Sequence, residues 1–307
     1  MDITFEPLHP HFAARVHGVD LSAPLSDGAV ETLRRAMGEF AVLVFNAQPI
    51  TDDEHARFAR YFGSIDPGLL LAAKRKRRLK NTEVIDLANV DEHGNVLAAD
   101  NSRNVSLIAN QLWHSDSSFK DPPAKYSILC GVDLPNTGGE TEFADQRAAY
   151  DALRPHLQAE IEGLVAEHSA FHSRDMLGGG DFSAQGRQAL PPVHWPIVHT
   201  VPDSGRKSLF IGIHTREISG MPTAQARMLL WDLLEHATQR EFVYRHEWNN
   251  ADVLMWDNQC TLHRGRPYDL TAKRELRRCS TEVMGLSAHG NVVSETLNER
   301  ELVVTGK

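Results

Sequence analysis

His114 and Asp116 put an imidazole and a carboxylate one residue apart, in the stretch Trp113-His114-Ser115-Asp116-Ser117-Ser118-Phe119. Along an extended strand side chains alternate, so such a pair points to one face and could grip a single metal ion. A mononuclear iron centre that activates O2 needs two His and one carboxylate on one side of the metal, with the other positions left open. The second His has to come from elsewhere. Among 16 His this is the only His-x-Asp, and about one is expected by chance. The rest of the chain must therefore supply the specificity.

A chain of 307 residues, 41% of them hydrophobic, buries a large core as one big β domain or two ordinary ones. Its longest apolar runs, such as Ala41-Val42-Leu43-Val44-Phe45, are far short of a membrane span, and the start lacks a signal-peptide profile. The expected compartment is the cytoplasm. Cys130, Cys260 and Cys279 stand singly and read as buried free thiols. A formal charge of -9 disfavours nucleic acid as the main partner.

The elements that must position the pair follow in order. Residues 1–63 read as strand, helix, strand, helix: Asp27 is placed to cap the first helix, and Thr51-Asp52-Asp53-Glu54 is a capping box for the second. The basic run Lys74 to Lys80 reads as a solvated loop or a lid that draws an anion. Lys125 to Val132 and Glu140 to Ala144 read as strands. Asp145 then caps a helix with Leu153, Leu157 and Ile161 at spacings of four. A broken, glycine-rich region follows, then strands at Pro196 to Val201 and Ser208 to Ile213. Thr223 to Ala237 is the clearest helix, with Leu229, Leu230, Leu233, Leu234 and Ala237 on one side. Phe242 to Trp248, Val253 to Trp256 and Leu276 to Val283 complete the strands. This pattern predicts a mainly β fold with inserted helices, a sandwich or jelly roll. The expected division is one catalytic domain over 1–285, with lid or insert regions at 64–110 and 172–195, and a polar tail at 286–307.

Three distant pieces then fall together: Asn110-Gln111-Leu112-Trp113-His114-Ser115-Asp116, Gly138-Gly139-Glu140-Thr141-Glu142-Phe143, and Met255 to Arg264 followed by Arg274-Glu275-Leu276-Arg277-Arg278. The chain resembles the iron and 2-oxoglutarate dependent dioxygenases of the taurine dioxygenase and 2,4-dichlorophenoxyacetate dioxygenase family, most closely the phenoxyacetate branch. The likeness runs from Pro7-Leu8-His9-Pro10 to Arg278 and implies a double-stranded β-helix (jelly-roll, cupin-like) core.

By this resemblance His114, Asp116 and His263 match the iron ligands, two neutral imidazoles and a carboxylate suited to Fe(II). Arg274, eleven residues after His263, matches the arginine that pairs with the distal carboxylate of 2-oxoglutarate. Thr141 matches a hydroxyl on the same carboxylate, and Asn110 a polar neighbour of the co-substrate. Arg278 matches the residue that holds the acidic group of the substrate. Arg274 and Arg278 share a parity, so in one strand they face the same way about 13 Å apart, which assigns them separate anions. In the phenoxyacetate branch two further substrate positions carry Lys and His; here they hold Leu71 and Val201. His214, Trp195 and Phe119 are further pocket candidates.

The resemblance implies hydroxylation of a small organic acid with Fe(II), 2-oxoglutarate and O2, releasing succinate and CO2. An aryloxyalkanoate such as a phenoxyacetate, giving a phenol and glyoxylate, is the expected substrate. Oxidation of a sulfonate or an amino-acid-derived acid is the alternative within the class. A non-catalytic jelly-roll metal-binding or sensory protein is the alternative outside it, and predicts metal binding without decarboxylation of 2-oxoglutarate. Family likeness also implies a homo-oligomer, and the charge and the short apolar runs lead us to expect neither nucleic acid nor membrane as partner.

Overall fold

In the computed structural model the described residues are 2–66, 78–98, 101, 108–177 and 184–282. Leu71, most of the basic run and the C-terminal tail lie outside them.

The strands are β1 (Thr4–Pro7), β2 (Ala14–His17), β3 (Val42–Phe45), β4 (Ile85–Ala88), β5 (Ala124–Asp133), β6 (Thr141–Asp145) and β7 (Val165–His168). Then come β8 (Val193–Pro196), β9 (Val198–Thr200), β10 (Lys207–Leu209), β11 (Thr215–Ile218), β12 (Val243–His246), β13 (Val253–Asp257), β14 (Thr261–Gly265) and β15 (Glu275–Glu282). A seven-stranded sheet runs β1-β2-β3-β13-β5-β15-β4, and a three-stranded sheet runs β12-β6-β14. Val42, Val44, Leu129, Leu254, Trp256 and Leu276 of the large sheet pack on Phe143 of the small one, so the two sheets face each other across a shared core. That facing pair is the jelly roll, and the site opens between its sheets.

Helices Asp27–Phe40 and Asp52–Arg60 cover the other face of the large sheet, where Leu33, Met37, Ala56 and Phe58 meet Ile128, Met255 and Cys279. Both start at a side-chain cap. The second has the expected box, Thr51 with Glu54. The first is capped one residue earlier than Asp27: Ser26 Oγ accepts from Ala29 N at 3.3 Å, and Asp27 is the first helical residue. The helix expected after Asp145 is two helices, Gln146–Asp151 and Pro155–Ile161. Pro155 lacks an N–H and cannot continue a helix, so it takes a first-turn position and starts a new one. Helix Thr223–Ala237 has the expected bounds and buries Leu230, Leu233 and Ala237 against Ile197, Leu209 and Ile218.

All three cysteines are buried free thiols. No helix among the described residues is long and apolar enough to cross a membrane. From the basic run, Arg78 is anchored: its guanidinium donates to both Asp86 oxygens, each at 2.8 Å, and to Glu275 at 2.8 Å.

Candidate active site

His263 lies on β14, and His114 reaches it through a single bridge in which each backbone N–H donates to the other residue's carbonyl, at 3.0 and 2.8 Å. Beyond that bridge the chain turns, so the expected strand through Asp116 is replaced by a bridge and a turn. The outcome for the side chains is the same. Donor atoms of His114, Asp116 and His263 all lie within 4.8 Å of one another, and all three residues are buried. The His114 Nε2 is 4.0 Å from Asp116 Oδ1, and the His263 Nε2 is 3.7 Å from Asp116 Oδ2.

Each member is prepared for a cation. The His114 Nδ1 lies 2.7 Å from the Leu112 carbonyl, which only accepts, so Nδ1 carries the proton and Nε2 keeps its lone pair. Burial holds the His114 pKa down against the pull of Asp116, and burial together with His114 takes His263 well below its ordinary value. Both rings are therefore neutral, as metal ligands must be. The His263 ring packs against those of His114 and Trp256, with centroids 4.1 and 4.7 Å away. Burial works to raise the Asp116 carboxyl, but Arg278, His263, His114 and the Ser127 hydroxyl outweigh it and keep the group ionised.

A hydrogen-bond frame holds Asp116. Its N–H donates to Asn258 Oδ1 at 3.1 Å, and its Oδ2 accepts from Ser127 Oγ at 2.7 Å. Asn258 Nδ2 donates to the same Ser127 oxygen at 2.9 Å, Trp256 Nε1 donates to Asn258 Oδ1 at 3.0 Å, and Ser115 Oγ donates to the Asn258 carbonyl at 2.7 Å. Sequence reasoning missed Ser127 and Asn258. Asp257, by contrast, is structural, pairing with Lys125 at 2.7 Å.

Arg274 immediately precedes β15. It is buried, it makes no ion pair among the described residues, and its Nε has no hydrogen-bond partner. Its Nη2 donates to the Gly139 carbonyl at 2.9 Å, and its guanidinium lies 5.2 Å from the Tyr268 ring centroid. Asn89 Oδ1 fixes its backbone, accepting from Arg274 N at 2.8 Å. Gly139, at φ 74, admits the side chain: a Cβ there would come within 2.9 Å of Arg274 Nε. A buried guanidinium without a counter-charge is costly unless an anion completes it. Burial lowers the Arg274 pKa while Tyr268 and Glu140 oppose the shift, and the group remains a cation. Thr141, at the start of β6, is buried and accepts from Trp248 Nε1 at 2.9 Å. Asn110 is half-buried, and its carbonyl accepts from Gly265 N at 2.8 Å, tying it to the end of β14.

On β15, Glu275 and Arg277 pair with each other and with Arg78 and Asp86, whereas Leu276 enters the inter-sheet core. Arg278, two residues beyond Leu276, therefore faces the site. Its Nη1 is paired with Asp116 Oδ1, and its Nε is buried without a partner. His214 stands beside the trio: its ring is edge-on to His114 at 6.1 Å and to Phe119 at 4.9 Å, and its Nδ1 is unpartnered. Burial, with His114 and Arg174 adding, keeps it neutral. Trp195 donates to the Ser118 carbonyl at 2.8 Å and so anchors the loop after Asp116.

Val201 departs from its expected place. It lies in a small core cluster with Ala41 and Cys260, at 0% exposure. Its backbone closes the turn before β10, with Val201 N donating to Arg206 O at 2.9 Å, and that turn points the side chain into packing. His199, two residues earlier on β9, is occupied by the Gln259 carbonyl at 2.7 Å.

Known proteins resemble this chain along most of its length. The chain is 53% identical over 92% of its length, and 98% of the relative's, to an alpha-ketoglutarate-dependent 2,4-dichlorophenoxyacetate dioxygenase of Cupriavidus pinatubonensis. It is 36% identical, over 87% of its length and 91% of the relative's, to the (S)-phenoxypropionate/alpha-ketoglutarate-dioxygenase of Sphingobium herbicidovorans. Among solved structures, AAD-2 in complex with Mn(II) and N-oxalylglycine superposes with a TM-score of 0.88 at 42% identity, covering 92% of this chain and 99% of that one. The taurine catabolism dioxygenase TauD, TfdA family matches residues 4–280. A match of that extent places this chain in the TauD, TfdA family, as an iron(II)- and 2-oxoglutarate-dependent dioxygenase.

Proposed function

We propose that this dioxygenase hydroxylates an aryloxyalkanoate of the phenoxyacetate type, releasing a phenol and glyoxylate. The observation that carries the substrate class is the 53% identity, along 92% of the chain, to a relative named for 2,4-dichlorophenoxyacetate. When bound, iron with 2-oxoglutarate and O2 supplies an oxidant that takes hydrogen from carbon, and 2-oxoglutarate leaves as succinate and CO2. His114, Asp116 and His263 would hold the metal from one side. Arg274 supplies the charge for the distal carboxylate of the co-substrate, with Thr141 donating to the same group and Asn110 beside it.

Arg278 receives the acidic group of the substrate. Its unpartnered Nε supports this role, and its bond to Asp116 sets the guanidinium beside the residues that would hold the metal, so that a carboxylate held there would bring its own α-carbon close to the reacting centre. His214 and Phe119 form a wall for the aromatic ring. Val201, packed with Ala41 and Cys260, serves packing. We place the enzyme in the cytoplasm as a homo-oligomer, a reading that rests on the composition and the family likeness.

The test is O2-dependent succinate release with Fe(II) and a panel of acids. Phenoxyacetates are expected to raise it above the uncoupled background and to yield phenol in equal amount. A response only to sulfonates or amino-acid-derived acids would move the substrate to that class. Arg278→Ala is expected to raise the KM for the acid about 30-fold or more while the KM for 2-oxoglutarate stays near wild type, because truncating one side of a buried charge pair costs at least about 2 kcal/mol. The reverse split would mean that the two arginines have exchanged roles.

A further inference from the structure

We infer that Trp248 is a positioning residue for the co-substrate: its indole N–H occupies the Thr141 oxygen and so commits that hydroxyl's one proton to the distal carboxylate of 2-oxoglutarate. The inference rests on the reading of Thr141 given above. A threonine hydroxyl has one O–H and two lone pairs, and it rotates to suit its neighbours. An indole N–H only donates. With Trp248 Nε1 at 2.9 Å from Thr141 Oγ1, the oxygen has to accept, and its own proton is left to find another acceptor. Thr141 is 4% exposed, and among the described residues its hydroxyl donates to none.

The indole is itself held. It lies edge-on to the His246 ring, with centroids 4.9 Å apart and planes at 88°, and the His246 Nε2 is 3.3 Å from Asp252 Oδ2. His246 faces Thr141 across the β12–β6 pair, which brings Trp248, two residues on, within reach of the hydroxyl. On its other side Trp248 rests on Gly131, where a Cβ would stand 3.2 Å from Cε3. His246 and Gly131 thus bracket Trp248, and Trp248 orients Thr141. In such a chain, N–H to O–H to carboxylate, each bond polarises the next and the final donor is strengthened.

Anaerobic titration of the Fe(II)-loaded enzyme, followed by the visible charge-transfer absorption of the chelate, tests this. Trp248→Phe is expected to weaken 2-oxoglutarate binding about fivefold, the value of one neutral hydrogen bond. It should leave the affinity for pyruvate, a 2-oxo acid without the distal carboxylate, at the wild-type value. In a Thr141→Val background Trp248→Phe should add nothing. Equal weakening for pyruvate, or additive effects in the double variant, would show that Trp248 only supports the fold and would overturn the inference. Trp248→Met, also apolar and without a donor, carries the same comparison should the Phe variant not fold. Weakening by Thr141→Val but not by Trp248→Phe sinks the inference alone. No effect from Thr141→Val removes the reading of Thr141 beneath it.

Discussion

Arg274→Ala is expected to raise the 2-oxoglutarate concentration for half-maximal turnover on the order of a hundredfold, measured by co-substrate titration at saturating acid. The size follows from the site. Truncating one side of a buried, hydrogen-bonded charge pair costs about 2–5 kcal/mol, and Arg274 is buried with no ion pair among the described residues to share its charge. Asn89, Gly139 and Tyr268 fix the guanidinium before any ligand arrives, so little of the interaction is lost to ordering. Arg274→Lys keeps the charge but loses the planar fork, and should fall between wild type and Ala. Arg277→Ala is the control: its partners Asp86 and Glu275 lie on the opposite side of β15, and it should leave the requirement unchanged. A normal co-substrate requirement in Arg274→Ala would remove this residue from the co-substrate site and leave its burial unexplained.

What was readable in the sequence was what depends on neighbours in the chain. The Thr51–Glu54 box, the stripe of Thr223–Ala237 and the alternation of β15 are local, and the structure has them. The break at Pro155 is equally local, because proline cannot continue a helix whatever the leucine spacing around it. The His-x-Asp pair was expected on a strand and sits on a bridge and a turn, because tertiary packing, here the bridge to His263, sets its backbone. The supporting shell was not readable at all. Ser127 meets Asn258 across 131 positions, and Arg278 meets Asp116 across 162. No periodicity announces a serine that will orient a carboxylate. Such partners are visible only when the sheets have been folded onto one another, and they are where geometry adds most to a motif.

That frame decides the last expectation, which concerns the metal. Asp116→Asn is expected to weaken Fe(II) binding by more than about a hundredfold, whereas Ser127→Ala should cost about 10–100-fold, the range for a group that only supports a ligand. Asparagine nearly preserves the shape, so the comparison isolates charge and hydrogen-bond direction. Whichever way the amide turns, its NH2 would point at either Ser127 Oγ or Arg278, both of which now donate to Asp116. The Arg278 cation would also lose its partner beside two neutral imidazoles, and a ferrous ion entering there would meet repulsion where it now meets a carboxylate. Competition against a chromophoric chelator under anaerobic conditions measures both variants. Should Asp116→Asn hold Fe(II) as tightly as wild type, the carboxylate would be no ligand. Its place within 4.8 Å of both imidazoles would then have to be explained by its pairing with Arg278 alone.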